Sequence, residues 1–473
     1  MVVEREPITD DFVARIQRIV GESGYITEPS ALEPYLTEWR GFYRGATSLV
    51  VRPADTAEVA AVVEICAEAG RGVVPQGGHT GLCGGGVPSR GDIVLSLERM
   101  TEIRDLDPDN FTITVDAGVV LADVQRAAAD VDRLFPLSLA AEGSCRIGGN
   151  LSTNAGGINV LRYGTARDLV LGVEVVLADG RIWDGLRSVR KNTFGYDLKQ
   201  LFIGAEGTLG IITGAVLALY PRPRSVGTAW LALRDLDAAV ELLALARDAA
   251  GDMLSGYELI SRFGLELVLA HVPRARDPLT GAHGWYALLE LAGSSTDAQR
   301  ALESLLEHAM AKGVIVDGVV ASSGEQRDCL WMLRESLSEA QKMAGGSIKH
   351  DVAVPVSAVP AFIRTATRAV EAQLPGVRVV AFGHAGDGNV HFNLSQPLDA
   401  DRAQFLERRQ ALNRIVHDIV IELGGSVSAE HGVGLLKKDE LAHRLDPLEL
   451  ELMRRLKQAL DPHGIMNPGK VLP

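Results

Sequence analysis

Pro75-Gln76-Gly77-Gly78-His79-Thr80-Gly81-Leu82-Cys83-Gly84-Gly85-Gly86 carries six glycines in twelve residues and follows the strand-like Val73-Val74. Glycine turns the backbone in either sense, so successive N–H groups of such a loop can aim at one concave point, a nest for an anion. The loop is neither a GxGxxG dinucleotide fingerprint nor a GxxxxGK-S/T phosphate loop, and neither pattern occurs elsewhere in the chain. A nicotinamide or ATP enzyme is therefore not expected. A second run, Glu142-Gly143-Ser144-Cys145-Arg146-Ile147-Gly148-Gly149-Asn150-Leu151-Ser152-Thr153-Asn154-Ala155-Gly156-Gly157, mixes close-approach glycines with small polar side chains suited to a flat ring rich in heteroatoms. A third is Gly204-Ala205-Glu206-Gly207-Thr208-Leu209-Gly210-Ile211-Ile212. One such loop alone reads as a tight turn. Three in order make that reading weak.

The rest of the composition sets bounds. At 473 residues the chain has room for two or three domains, and 47% hydrophobic residues against 23% charged exclude disorder. The net charge of −14 removes the general basic footprint needed for nucleic acid or anionic lipid, so an anionic ligand must meet local positive charge. No apolar run reaches the ~18 residues of a membrane span, and Met1-Val2-Val3-Glu4-Arg5-Glu6-Pro7 lacks the apolar core of a leader. A cytoplasmic protein is expected. Cys66, Cys83, Cys145 and Cys329 are too scattered for a disulfide framework or a CxxC clip, and reduced thiols are expected.

Helical spacing of Phe12, Val13, Ile16, Ile19 and Val20 between Thr9 and Gly21 predicts an opening helix, and Asp55-Thr56-Ala57-Glu58 caps another that ends at Gly70. From Val73 to about Leu219 strands dominate, with a hairpin at Asp179-Gly180. Pro221-Arg222-Pro223-Arg224 marks a boundary, after which Ala/Leu/Glu-rich helices alternate with short strands such as Trp285 to Leu289 and Val377 to Phe382. Pro447 to Leu460 closes the helical part. The expected division is a helical segment over 1–44, a first domain over 45–222, a substrate domain over 223–426 and a returning segment over 427–473.

The succession PxGGxTGLxGG, GSCxIGGNxxTNAGG and FIGAEGTLGIIT resembles the FAD-binding domain of the vanillyl-alcohol oxidase / PCMH-type flavoprotein superfamily, over roughly Gly45 to Arg222. The resemblance implies an α+β fold, a PCMH-type FAD-binding domain followed by an FAD-linked oxidase C-terminal domain. It implies an FAD pyrophosphate on Pro75, Gly77, Gly78, His79, Thr80, Gly81 and Leu82. Flavin and ribityl chain would run past Gly143, Ser144, Cys145, Gly148, Gly149, Asn150, Thr153, Asn154 and Gly156. Glu206, Gly207, Gly210, Ile211 and Ile212 would stand towards the adenine, with Asn467 of the tail returning to the flavin. Some branches of the superfamily bind FAD covalently through a histidine in the first loop. For His79 the expectation is a histidine that only hydrogen-bonds there, with non-covalent FAD.

The second half carries different chemistry. Gly383-His384-Ala385-Gly386-Asp387-Gly388-Asn389-Val390-His391-Phe392-Asn393 sets two imidazoles at the ends of a strand–turn–strand, with Asn393 on the face of His391. Glu430 and His431 stand side by side in Ser428-Ala429-Glu430-His431-Gly432. Two His plus Glu suits catalytic zinc with an open position, or Mn or Fe(II). Arg334 and Ser338, at i and i+4, are expected on one helix face, and Lys349 at the start of a strand. WxxRE, SIKxDV, GHxGDGNxHxN and AEHGxG in this order resemble the C-terminal domain of FAD-linked D-2-hydroxyacid dehydrogenases, most closely the D-2-hydroxyglutarate dehydrogenase branch.

Carried over by position, the resemblance implies a metal on His384, His391 and Glu430, zinc favoured. Arg334 and Asn393 would bind the C1 carboxylate end, Lys349 and Ser338 a distal carboxylate, and His431 would bind substrate and act as base. The implied reaction is oxidation of a D-2-hydroxy acid, D-2-hydroxyglutarate first, with D-lactate or glycolate as the alternative substrate. Electrons would leave FADH2 for an electron-transfer flavoprotein or a quinone-linked acceptor. A homodimer is the default expectation. A metal hydrolase would use the same His and Glu set but leaves the glycine loops unexplained; a flavin carrier without catalysis is the third reading.

Overall fold

The computed structural model describes residues 8–89, 91–293 and 297–473. Met1 to Pro7, where a leader was sought, lies outside them. The chain divides into two units. One runs to Gly157, resumes over Gly164–Arg222 and ends with Glu430–Pro473; the other comprises Ile158–Tyr163 and Pro223–Ala429.

In the first unit the helix Asp10–Val20 starts at Thr9, whose side chain accepts from the Phe12 N–H, and stops at Gly21 with φ +67°. Its buried Phe12, Ile16 and Val20 join the core formed by Val59, Val62, Val63 and Cys66 of the helix Thr56–Glu68. Both helices match the sequence reading. Beneath them Val50–Val51, Ile93–Ser96 and Val73–Gln76 run parallel, with Tyr25–Ile26 antiparallel at one edge. A second, antiparallel sheet has the order Ile103–Asp107, Thr112–Asp116, Ile211–Ala218, Val170–Val176, Ile182–Gly185. The last two strands are the expected hairpin, which turns through Gly180 at φ +80°. Arg104 fastens this sheet internally and to the helix: it donates to Asp116 at 2.7 Å and to Glu174 at 2.9 Å, and Glu174 also accepts from Thr56.

The second unit is an eight-stranded antiparallel sheet. Along Ser225–Leu233 the side chains alternate between two cores. Ala229, Leu231 and Leu233 face the helices Ala238–Ala250, Ala298–Ala311, Val359–Gln373 and Arg409–Glu422, while Trp230 and Ala232 face Arg262–His271, Gly324–Glu335 and Leu337–Met343. The excursion Ile158–Tyr163 joins this unit; the Arg162 guanidinium donates to the Ala292 carbonyl.

Two local expectations are corrected. The helix of Arg334 ends at Glu335, Ser336 caps it, and a new helix begins at Leu337, so Arg334 and Ser338 do not share one helix. Arg334 is buried and Ser338 exposed. Lys349 does not start a strand but stands between Ser347–Ile348 and Asp351–Ala353. Among the described residues no helix is long and apolar enough to cross a membrane.

The helix Pro447–Leu460 is fastened by Lys457, which donates to Asp461 Oδ2 (2.5 Å), Thr208 O (2.7 Å) and Met466 O (2.8 Å). Asp461 also accepts from the Ile465 and Met466 N–H groups. Asp461→Ala would leave a largely buried ammonium and two amides without their acceptor. The expected loss is roughly 3 kcal/mol, read by urea unfolding; a change below about 1 kcal/mol would contradict this account.

Candidate active site

The first glycine loop leaves the strand Val73–Gln76 and lies on the backbone of the second. A Cβ on Gly78 would stand 2.1 Å from Ser144 O, and one on Gly77 3.3 Å from Gly149 N. Gly148 is pressed in turn on Ala117, 2.7 Å from where its Cβ would be. Gly81 and Gly143 differ: a Cβ there would meet nothing within 4 Å, so their backbones are open to a ligand. Three buried side-chain acceptors in this unit, Gln76 Oε1, Asn150 Oδ1 and Asn467 Oδ1, have no donor among the described residues. Buried acceptors of this kind ask for partners, and a flavin dinucleotide, with ring N–H, ribityl and ribose hydroxyls and an adenine amine, supplies donors of the right kind. The residues therefore fit FAD.

Other predicted cofactor residues have work inside the chain. His79, at φ +53°, bonds Thr37 O through Nε2 at 2.9 Å, and burial lowers its pKa. Asn150 donates to the buried Cys145 sulfur at 3.5 Å, and burial pushes that thiol's pKa up. Asn154 Oδ1 accepts from the Arg167 N–H, and Thr153 bonds back to Gly149 O. Glu206 is a clamp that sequence reasoning gave only as a cofactor contact. Its carboxylate accepts from the Val433 and Gly434 N–H groups at 2.7 and 2.9 Å, while its carbonyl accepts from Asn467 Nδ2. The tail runs as a parallel bridge, Val73 to Met466, beside the strand that feeds the first loop. Gly156 faces Glu430: its Cβ would be 2.7 Å from Oε1, the oxygen that accepts from the Gly157 N–H at 2.6 Å.

In the second unit the strands Arg378–Gly383 and Asn389–Ser395 form the expected hairpin and bring His384 and His391 together, ring centres 5.6 Å apart. The sequence reading missed Glu258. It lies in the wholly buried strand Leu254–Ser261, where Leu259 pairs with Gly383, so the antiparallel register sets Glu258 opposite His384. Glu258 Oε1 is 2.5 Å from His384 Nδ1, and Oε2 accepts from Arg334 Nε at 2.5 Å. Burial pulls the Glu258 carboxyl upward, but Arg334 and His384 together outweigh it and hold its pKa down at about 2. The signal in the sequence was one charged residue in the otherwise uncharged stretch Leu254–Ser261. Arg334 also lies against the Phe382 ring.

His391 Nδ1 stands 3.7 Å from Asp351 Oδ1, which accepts from Asn389 Nδ2 at 3.0 Å. Asn393 is buried, bonded to Gln341 and to the His350 N–H. Lys349 Nζ reaches Ser338 through its carbonyl, at 3.3 Å. Ala429 N–H donates to Asp351 O, opposite His391 in the ladder, and Glu430 and His431 follow directly.

A cradle for FAD followed by an imidazole–carboxylate cluster defines a flavin-linked oxidase. Comparison with known proteins agrees: residues 47–185 match the FAD binding domain and residues 222–471 the C-terminal domain of FAD linked oxidases. The chain is 38% identical over 464 residues to D-2-hydroxyglutarate dehydrogenase of Xanthomonas citri pv. viticola, covering 98% of this chain and 97% of that protein. It is 35% identical to the mitochondrial D-2-hydroxyglutarate dehydrogenase of Arabidopsis thaliana, covering 100% and 84%. The fold matches p-cresol methylhydroxylase with a TM-score of 0.80 at 19% identity, covering 100% of this chain and 98% of that one. The chain thus belongs to the D-2-hydroxyglutarate dehydrogenase branch of the FAD-linked oxidases, and is an FAD-dependent dehydrogenase of D-2-hydroxy acids.

The two kinds of glycine should separate on mutation. Gly78→Ala is expected to lower Tm by several degrees, because the methyl has only backbone to displace. Gly81→Ala should keep Tm in the apoprotein and release FAD more readily, measured by flavin fluorescence on dilution. Equal behaviour of the two variants would refute the distinction.

Proposed function

We propose that the protein oxidises D-2-hydroxyglutarate to 2-oxoglutarate with metal assistance, and that its FAD is held without a covalent bond. The observation that carries the metal is the hairpin pair His384 and His391, each with a carboxylate behind Nδ1; Glu430 is proposed as the third ligand. Imidazole and carboxylate suit zinc in a catalytic site. Bound there, a divalent metal would ease loss of the substrate's hydroxyl proton, and the flavin would receive its C2 hydride. His431 is the base that takes that proton onto its ring. Arg334, already oriented through Nε, would bind the C1 carboxylate through its Nη groups, together with Asn393. His79 is engaged with Thr37 O, which favours non-covalent FAD.

Lys349 and Ser338 support the dicarboxylate in this reading. The Lys349 ammonium reaches the Ser338 carbonyl at 3.3 Å, and a second substrate carboxylate would add a charge-assisted bond there that lactate or glycolate would not. In this reading the electrons pass to an electron-transfer flavoprotein or a quinone-linked acceptor. A yeast relative named D-2-hydroxyglutarate–pyruvate transhydrogenase, 35% identical, makes a 2-oxo acid the competing acceptor to assay. The proposed setting is a cytoplasmic homodimer, checked by fractionation and by mass in solution.

His391→Ala should stay yellow, lose metal and fail to be bleached by D-2-hydroxyglutarate under anaerobic conditions. Full turnover of the wild type after verified metal removal would overturn the site. Lys349→Met should reduce kcat/KM for D-2-hydroxyglutarate roughly 10- to 150-fold and leave D-lactate nearly unchanged. Equal losses on both acids, or a wild type that prefers D-lactate, would reject the dicarboxylate.

A further inference from the structure

We infer that Glu258 is the positioning residue of the imidazole cluster: by accepting from His384 Nδ1 it fixes the ring in the tautomer that leaves the Nε2 lone pair for an ion, while Arg334 holds the carboxylate by its other oxygen. The inference rests on the reading of His384 as a metal ligand. A neutral imidazole carries one N–H, so the nitrogen that donates determines which one can ligate. With Nδ1 2.5 Å from Glu258 Oε1, the donor is assigned to Nδ1.

A simple counter-ion for Arg334 would need only one oxygen. Glu258 uses both, Oε1 on the imidazole and Oε2 on the guanidinium, from a side chain only 1% exposed. Its place is also set by register rather than by a mobile loop, since the pairing of Leu259 with Gly383 carries Glu258 to His384. Ligating histidines are commonly oriented in this way, by a carboxylate on the nitrogen that does not bind the ion. Arg334 keeps the arrangement tolerable by giving the buried carboxylate a cationic partner on the oxygen that the ring does not use.

The test uses the FAD-loaded full chain and zinc affinity measured by competition with a chromophoric chelator, with flavin absorbance and thermal unfolding as fold controls. Glu258→Gln should weaken zinc binding about 10- to 100-fold with the flavin spectrum unchanged, and excess zinc should restore its turnover. Glu258→Asp keeps the charge that Arg334 needs but shortens the reach, and should fall between Glu258→Gln and wild type. If the glutamine variant does not fold, the aspartate variant decides: zinc affinity equal to wild type overturns the inference. Unchanged affinity in Glu258→Gln, while His384→Ala loses zinc, overturns it as well. Zinc retained by His384→Ala would refute the metal site itself, a separate failure.

Discussion

A carboxylate shut away from water must be given a cation and hydrogen-bond donors or it will take up a proton, and Glu258 is given the Arg334 guanidinium and the His384 ring. This requirement organises the chemistry of the second unit. The strand Leu254–Ser261 is buried at every position, so Glu258 can be ionised only if Arg334 and His384 come to it. The helix of Arg334 ends one residue later, and the hairpin of His384 is tied to the same strand by the pairing of Leu259 with Gly383. A breach at any of the three strands a well-ordered charge in an apolar core, which is among the costlier faults a protein can carry. The functional side chains are thus held by the same interactions that keep the core neutral.

The first unit solves a different problem. Its ligand is long and polar, and the loops that meet it must approach one another as closely as they approach the ligand. Gly78 against Ser144 O and Gly148 against Ala117 serve the first need; Gly81 and Gly143 leave space for the second. The anion-nest reading of the loop therefore describes only part of it, because some of its glycines are required by loop packing whether or not a ligand is present. Glu206 adds a third constraint. Buried, with its pKa raised by that burial, it is held by backbone amides of Val433 and Gly434 and so ties the third loop to the returning tail.

Much of this was legible in the sequence because it is written locally. Caps, hairpin turns and glycine runs depend on residues within a few positions of one another, and the helix Asp10–Val20, the Asp179-Gly180 hairpin and the helix Pro447–Leu460 follow from such signals. His384 and His391 also stand close in the chain. Glu258 does not: it meets a histidine 126 positions away, through a strand register that no local pattern encodes. The break at Ser336 was hidden for the opposite reason. Arg334-Glu335-Ser336-Leu337-Ser338 contains no glycine or proline, and a serine that ends one helix while opening the next looks locally like a helical residue. The excursion Ile158–Tyr163, six residues of the first half of the chain that pack with the second unit, is likewise set by tertiary contact alone.

The charge balance makes the short-range cations more significant. A chain with net charge −14 repels an incoming hydroxy-acid anion at long range, yet at physiological ionic strength that field is screened within about 8 Å. Recognition is then decided by the last few ångströms, where one oriented guanidinium or ammonium outweighs a diffuse negative surface, since Coulomb energy grows as separation and effective dielectric fall together. The proposed contact at Arg334 would gain from an orientation fixed beforehand: Nε is held by Glu258 and the guanidinium lies over Phe382. A side chain already ordered loses little further freedom when an anion arrives, so more of each new hydrogen bond remains as affinity. The buried carboxylate offsets part of the guanidinium's charge, and by that route it also fixes the arginine in place.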